Sequence, residues 1–164
     1  MVAREDHLLP FPDLLEAPVT DDYVMPTYKL TLKAAQHMIA AAVARVQELD
    51  VRVCIAVVDG GANPIAYARM DGASISAEKS AVAKAVTAAS IGGETGQAPF
   101  ELSLQLALAT KGRWINLKAG TPILYKGHVI GGVGVGGASI EQDVDISRAA
   151  VAAVGQSAAE HGQL

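Results

Sequence analysis

Residues 51–69 read VRVCIAVVDGGANPIAYAR, and this stretch decides the fold class. Val51 to Val58 is an apolar run rich in β-branched residues, the composition of a mostly buried strand. Asp59-Gly60-Gly61-Ala62-Asn63-Pro64 supplies turn chemistry, and Ile65 to Arg69 forms the return strand of a hairpin. A second hairpin follows later, from Thr121–Tyr125 through Lys126-Gly127-His128 to a glycine-weakened strand over Val129–Val135. Upstream, Thr31 is placed as an N-cap, with Leu32, Ala35, Ile39, Ala42, Val46 and Leu49 recurring at helical spacing until Asp50. Between the hairpins, Ser76–Ser90 is an alanine-rich helix stopped by Gly92-Gly93. Leu102, Leu104, Leu106 and Leu108 alternate as in a strand, but Pro99 at the first turn and the surrounding Leu, Gln, Glu and Ala favour a helix. Ser139-Ile140-Glu141-Gln142 is a capping box opening a last helix, which carries Val144, Val151, Val154 and Ala158 toward the core. The order is helix, two strands, two helices, two or three strands, helix. Hairpin-linked strands with helices grouped between them give an α+β domain with an antiparallel sheet, not a doubly wound one.

The chain has 164 residues, 51% of them hydrophobic, enough for one compact domain with a core. Lys and Arg number 13 against 17 Asp and Glu, for a net charge of -4, which argues against a nucleic-acid partner. Cys54 stands alone inside the first strand, so it is a buried structural thiol and no disulfide framework or thiolate zinc site can form. No apolar window reaches membrane-spanning length, and the segment before Pro10 carries acids where a secretory signal carries bases. A cytoplasmic protein without a membrane partner is therefore expected. Residues 1–27 hold Pro10, Pro12, Pro18 and Pro26 and form an expected extended arm ahead of a domain over 28–164. Leu8, Leu9, Phe11, Leu14 and Leu15 make that arm too apolar for a solvated tail, so it is expected to lie across the domain or a neighbouring subunit.

Gly132-Val133-Gly134-Val135-Gly136-Gly137 satisfies GxGxxG between a strand and a helix, but no strand follows that helix to complete a dinucleotide site. Close packing of a helix on the strand, or of backbone on a ligand, is the better account of these glycines. His7 and His161 lie near the ends, His37 lies in the first helix and is expected to face solvent, and His128 lies in a turn; no pair has metal-ligand spacing, so no metal site is expected. The constellation with chemistry is Arg69, Asp71, Lys84 and Thr87. Arg69 ends a strand, Asp71 sits in the next turn, and Ser80, Lys84 and Thr87 share a helix face. If that face meets the hairpin end, two cations and a hydroxyl converge on a carboxylate. The alternative is an Arg69–Asp71 surface pair, with Lys84 lying across the alanines.

Taken together, Leu30-Thr31-Leu32, Ile55–Gly61, Arg69-Met70-Asp71-Gly72-Ala73, Lys84-Ala85 with Thr87-Ala88, Gly120-Thr121-Pro122, and Val129–Val135 with Gln142-Asp143 resemble the GlcG/HbpS family over about residues 28–160. The resemblance implies a profilin-like single domain with a central antiparallel sheet of about five strands, assembled into homo-oligomers. It also implies roles ranging from haem binding or degradation, through a domain of corrinoid adenosyltransferases, to small-acid catabolism. Ala119 stands where the family often has a second glycine, and His128 where a plain polar residue is common. The leading expectation is a binding protein for a carboxylate-bearing small molecule, haem first, with Arg69, Asp71, Lys84, Thr87, Gly120, Thr121 and His128 at the site. Haem is thus the one possible cofactor. No histidine on these motifs is an obvious iron ligand, which leaves His128 or an unusual group. The rival is a cofactor-independent isomerase, lyase or hydratase for a small hydroxy- or oxo-acid. Lys84 or Asp71 would move the proton, and the N–H groups of Gly120 or Thr121 would hold an oxyanion.

Overall fold

The computed structural model describes residues 20–160. Helices α1 (Leu32–Leu49), α2 (Ile75–Ile91), α3 (Phe100–Ala109) and α4 (Ile140–Glu160) surround strands β1 (Cys54–Asp59), β2 (Pro64–Arg69), β3 (Gly120–Tyr125) and β4 (His128–Gly136). The sheet order is β2-β1-β4-β3 with every pairing antiparallel, which is the expected α+β class. Four strands replace the expected count of about five. The alternating leucines after Pro99 are helical, and the chain from Thr110 to Lys118 turns at Lys111 and Gly112, both at positive φ, so it adds no strand.

Local chemistry sets the element ends. Thr31 Oγ1 accepts the Ala34 N–H at 3.1 Å, and Asp50 closes α1 in the left-handed region. Ser139 and Gln142 satisfy each other reciprocally: Ser139 Oγ accepts the Gln142 N–H at 3.3 Å and Gln142 Oε1 accepts the Ser139 N–H at 3.2 Å. His128 is not in its hairpin turn as expected. The turn is Lys126-Gly127, both at positive φ as a two-residue hairpin loop requires, and His128 is the first residue of β4.

Period two along β1 builds two cores. Ile55 and Val57 join Met38, Val46, Val133, Val135 and Ile146 under α1 and α4, while Cys54, Ala56 and Val58 meet Ala77, Ala81, Ala85 and Ala89 of α2. On α4, Ile146, Ser147 and Ala150 are fully buried, and Val151 and Val154 pack at the margin. Ala158 lies outside the described side chains. The glycine motif finds its account in the second core. A Cβ on Gly134 would overlap the backbone of Ala81 and Ala85, so bare glycine is what lets the alanine face of α2 lie directly on β4. The arm residues 1–19, with Leu8 to Leu15 and His7, lie outside the described residues, as does His161; residues 20–27 are exposed throughout. His37 is exposed on α1, and no described helix is long and apolar enough to cross a membrane.

Candidate ligand-binding site

The residues singled out in the sequence fall into separate places. Arg69 is exposed at the end of edge strand β2, opposite Cys54, and Asp71 is exposed in the turn beyond it. Among the described residues neither makes an ion pair, with the other or with anything else. Lys84 points the other way. Its stem crosses the gap over Gly134 on β4, two strands from β2, and its ammonium donates to Val135 O at 2.6 Å and to Asp143 Oδ2 at 3.1 Å, with 5% of the residue exposed. Asp143 Oδ1 also accepts the Ala138 N–H at 3.1 Å, so the carboxylate is held from both sides. Thr87 is fully buried, donating to Ala83 O and accepting the Ile115 N–H at 2.9 Å. Lys84 and Thr87 are therefore spent inside the fold, and the expected convergence with Arg69 and Asp71 does not form. The helix face they share lies on the sheet rather than toward the hairpin end.

Gly120 and Thr121 line a cavity of about 220 Å³ between the start of β3 and the start of α4, together with Glu94, Lys118, Glu141 and Arg148. The Gly120 N–H donates to Thr95 Oγ1 at 2.9 Å, and the Thr121 hydroxyl meets Ser147 Oγ at 2.8 Å. Ser147 donates its own proton to Val144 O, so the Thr121 hydroxyl is the donor of that pair. Arg148 makes a two-pronged contact with Glu94, Nε and Nη2 each 2.7 Å from a carboxylate oxygen. That hydrogen bonding raises the Arg148 pKa and, against partial burial, lowers that of Glu94. The arginine of this cavity is thus already neutralised. Ala119 sits at φ 80°, a backbone conformation that glycine adopts without strain. His128 is exposed at the hairpin tip, its ring 5.3 Å from that of Tyr28, away from Lys84 and Gly120.

A larger concavity runs along the outer side of α2. Two adjoining pockets of about 400 and 410 Å³ share Ala62, Val86, Lys111 and Arg113, each within the range of roughly 300–1,000 Å³ usual for small-molecule sites. Val82, Val86, Pro64 and Trp114 give apolar walls, and three cations, Lys79, Lys111 and Arg113, stand around them with one acid, Glu78. Among the described residues none of these three cations is in an ion pair. Two threonines place the loop: Thr110 Oγ1 accepts the Trp114 N–H at 3.0 Å, and Thr87 takes the next N–H, that of Ile115. Lining residues include no imidazole, thiol or thioether. Tyr67 borders a smaller adjoining pocket, but desolvation of its hydroxyl, with the Cys54 thiol as second cause, pushes its pKa up to about 12, so it stands there as a neutral phenol. Among the described residues no group of three or more His, Cys, Asp or Glu side chains could hold a metal ion.

Sequence reasoning missed this groove and the Asp143 partner. The available signals were Lys79, Val82 and Val86 at one-face helical spacing, and the basic and aromatic cluster Lys111-Gly112-Arg113-Trp114.

Comparison with known proteins bears on this arrangement. The corrinoid adenosyltransferase PduO of Citrobacter freundii is 30% identical over 134 residues; the match takes in 79% of this chain and 40% of that protein, so the chain spans less than half of it. Among solved structures, a double mutant of Streptomyces reticuli HbpS superposes with a TM-score of 0.75 at 32% identity, covering 86% of this chain and 97% of the other. A PduOC–haem complex superposes with a TM-score of 0.70 at 29% identity, covering 77% of this chain and 95% of the other. A family model described as haem degrading protein HbpS-like matches residues 30–152, and the chain belongs to that family.

Proposed function

We propose that this protein binds a flat, carboxylate-bearing tetrapyrrole, with haem the first candidate, in the groove along α2. One observation carries the reading: apolar walls of Val82, Val86 and Trp114 rimmed by Lys79, Lys111 and Arg113, three cations with no ion-pair partner among the described residues. Membership of the HbpS-like family and the likeness to a PduOC–haem complex support it. The groove fits the organic part of haem. Valines and the indole exclude water from a macrocycle face, and the cations pair with propionates. It offers the iron no imidazole, thiolate or thioether, so recognition rests on the ring and its carboxylates. When bound, haem would supply the redox chemistry of its iron. Homo-oligomeric assembly, a cytoplasmic setting and a domain spanning 28–164 belong to the same proposal.

The rival reading, an enzyme for a small hydroxy- or oxo-acid, is less well supported. Its proton carrier Lys84 is held by Asp143 and Val135, and its oxyanion donor Gly120 N–H is bonded to Thr95. Titration with hemin, followed at the Soret band, tests the proposal. Saturable binding is expected, with the Kd raised about tenfold or more in a Lys111→Ala, Arg113→Ala double variant and unchanged in Arg69→Ala, in line with roughly 1.4 kcal/mol per tenfold change. Equal binding by the double variant and the wild type would place the ligand elsewhere.

A further inference from the structure

The sheet has two edges, β2 and β3, and only one of them is closed off. At the β3 edge, the Gly120 N–H donates to Thr95 Oγ1 at 2.9 Å and the Gly120 carbonyl accepts the Thr95 N–H at 3.0 Å. Pro122, the next residue of β3 to face outward, has no N–H to offer. On β2, Pro64 and the bulged Ile65 interrupt only the start. Further along, the Met70 N–H donates to Val53 O at 3.0 Å, so antiparallel alternation turns the N–H and C=O of Tyr67 and Arg69 away from β1. β2 packs on β1 and α1, and no other described helix or strand packs extensively against it. Unpaired backbone of this kind is a template for another strand.

We infer that β2 pairs antiparallel with β2 of a second copy, centred on Tyr67, to give a closed dimer with one continuous sheet. Three observations select this occupant. With the β3 edge blocked, the open edge left to β2 is that of its own copy, so the contact is isologous and closes. The register sets Tyr67 against its own counterpart, an aromatic cross-strand pair, and places Arg69 opposite the partner's Ile65, next to the partner's Pro64. Charge is complementary in that register. Arg69 and Tyr67 lie opposite Cys54 and Ala56, hence on the α2 side of the sheet, where Glu78 lines a pocket with Pro64, Ala66 and Tyr67. Both Arg69 and Glu78 are exposed, and among the described residues neither is in an ion pair. The dyad carries each Arg69 to the partner's Glu78, while the two Arg69 side chains stay about 13 Å apart along the strands. Lys79, Lys111 and Arg113 take no part. The pairing gives the proposed homo-oligomer its interface, and so rests on that part of the reading, but it does not depend on haem.

Sedimentation velocity on the full-length, ligand-free protein tests it. The wild type should sediment as an assembly of an even number of copies. Arg69→Glu and Glu78→Arg should each raise the dimer dissociation constant about tenfold or more, because each change acts twice across the dyad and turns attraction into repulsion. Combining Arg69→Glu with Glu78→Arg should restore the wild-type mass. As a second arm, a short bismaleimide should join two copies of Tyr67→Cys and leave Arg69→Cys unjoined. A monomeric wild type would overturn both this interface and the proposed assembly. An assembly indifferent to either reversal, or a Tyr67→Cys variant that gives no covalent dimer, would overturn the interface alone and leave assembly to another face.

Discussion

Replacing Lys84 by methionine is expected to lower the thermal unfolding midpoint by roughly 10–15 °C. The substitution keeps most of the apolar stem that crosses Gly134 but removes the ammonium from Asp143 Oδ2 and Val135 O. Asp143 is 4% exposed and keeps only the Ala138 N–H, so a carboxylate is left buried without its counter-charge. Breaking a buried pair from one side costs about 3–5 kcal/mol, and for a chain of this size each kcal/mol moves the midpoint by about 2–4 °C. Because the cost arises from the stranded charge, the double variant Lys84→Met, Asp143→Leu should recover most of it. Differential scanning calorimetry of the two variants distinguishes the cases. If Lys84 were instead an open cation awaiting a ligand, its loss would change stability by no more than about 0.5 kcal/mol.

Gly134→Ala is expected to cost about 3 kcal/mol or more, for a different reason. The new methyl would meet the Ala81 carbonyl oxygen and the Ala85 nitrogen, which are backbone atoms of α2 and cannot rotate away as a side chain does. Relief requires α2 to lift from β4, opening the contact with Cys54, Ala56 and Val58 as well. Overpacking of a tight core typically costs 1–3 kcal/mol, with more where backbone must move. Gly155→Ala, in the exposed part of α4 with nothing near the added Cβ, is the matched control and should be neutral or stabilising by up to about 1 kcal/mol. Urea unfolding midpoints of the two alanine variants should therefore move in opposite directions or differ widely. A Gly134→Ala midpoint close to wild type would mean that α2 does not lie on β4 as described.

The fold was largely legible because its signals are local. Thr31, Ser139 with Gln142, the Lys126-Gly127 turn region and the alternation in β1 each act within a few residues, and each names its element. The site was less legible because its geometry depends on pairs far apart in sequence. Where Lys84 points follows from the missing side chain at Gly134 and the carboxylate at Asp143, on β4 and α4, and nothing in α2 alone discloses either. The groove likewise needs Lys79 on one helix and Arg113 after another, brought together by Thr87 holding the Ile115 N–H. Thr87, read in the sequence as a ligand contact, is the residue that positions the groove's loop. The count of about five strands came with the family resemblance; at Leu102–Leu108 the alternation fits both periods, and Pro99 with the Leu, Gln, Glu and Ala content already favoured the helix that forms.

On the proposed reading, recognition runs through the ring and its carboxylates, in the groove beside Trp114, the chain's single tryptophan. Quenching of that tryptophan by hemin, by protoporphyrin IX and by protoporphyrin IX dimethyl ester tests it most directly. Kd values for hemin and protoporphyrin IX should lie within about threefold of each other, with binding of the ester weakened about tenfold or more, as expected when charge-assisted contacts to three cations are lost. Hemin bound far more tightly than the metal-free porphyrin, with the ester equal to the acid, would contradict it and point to an iron ligand outside this groove.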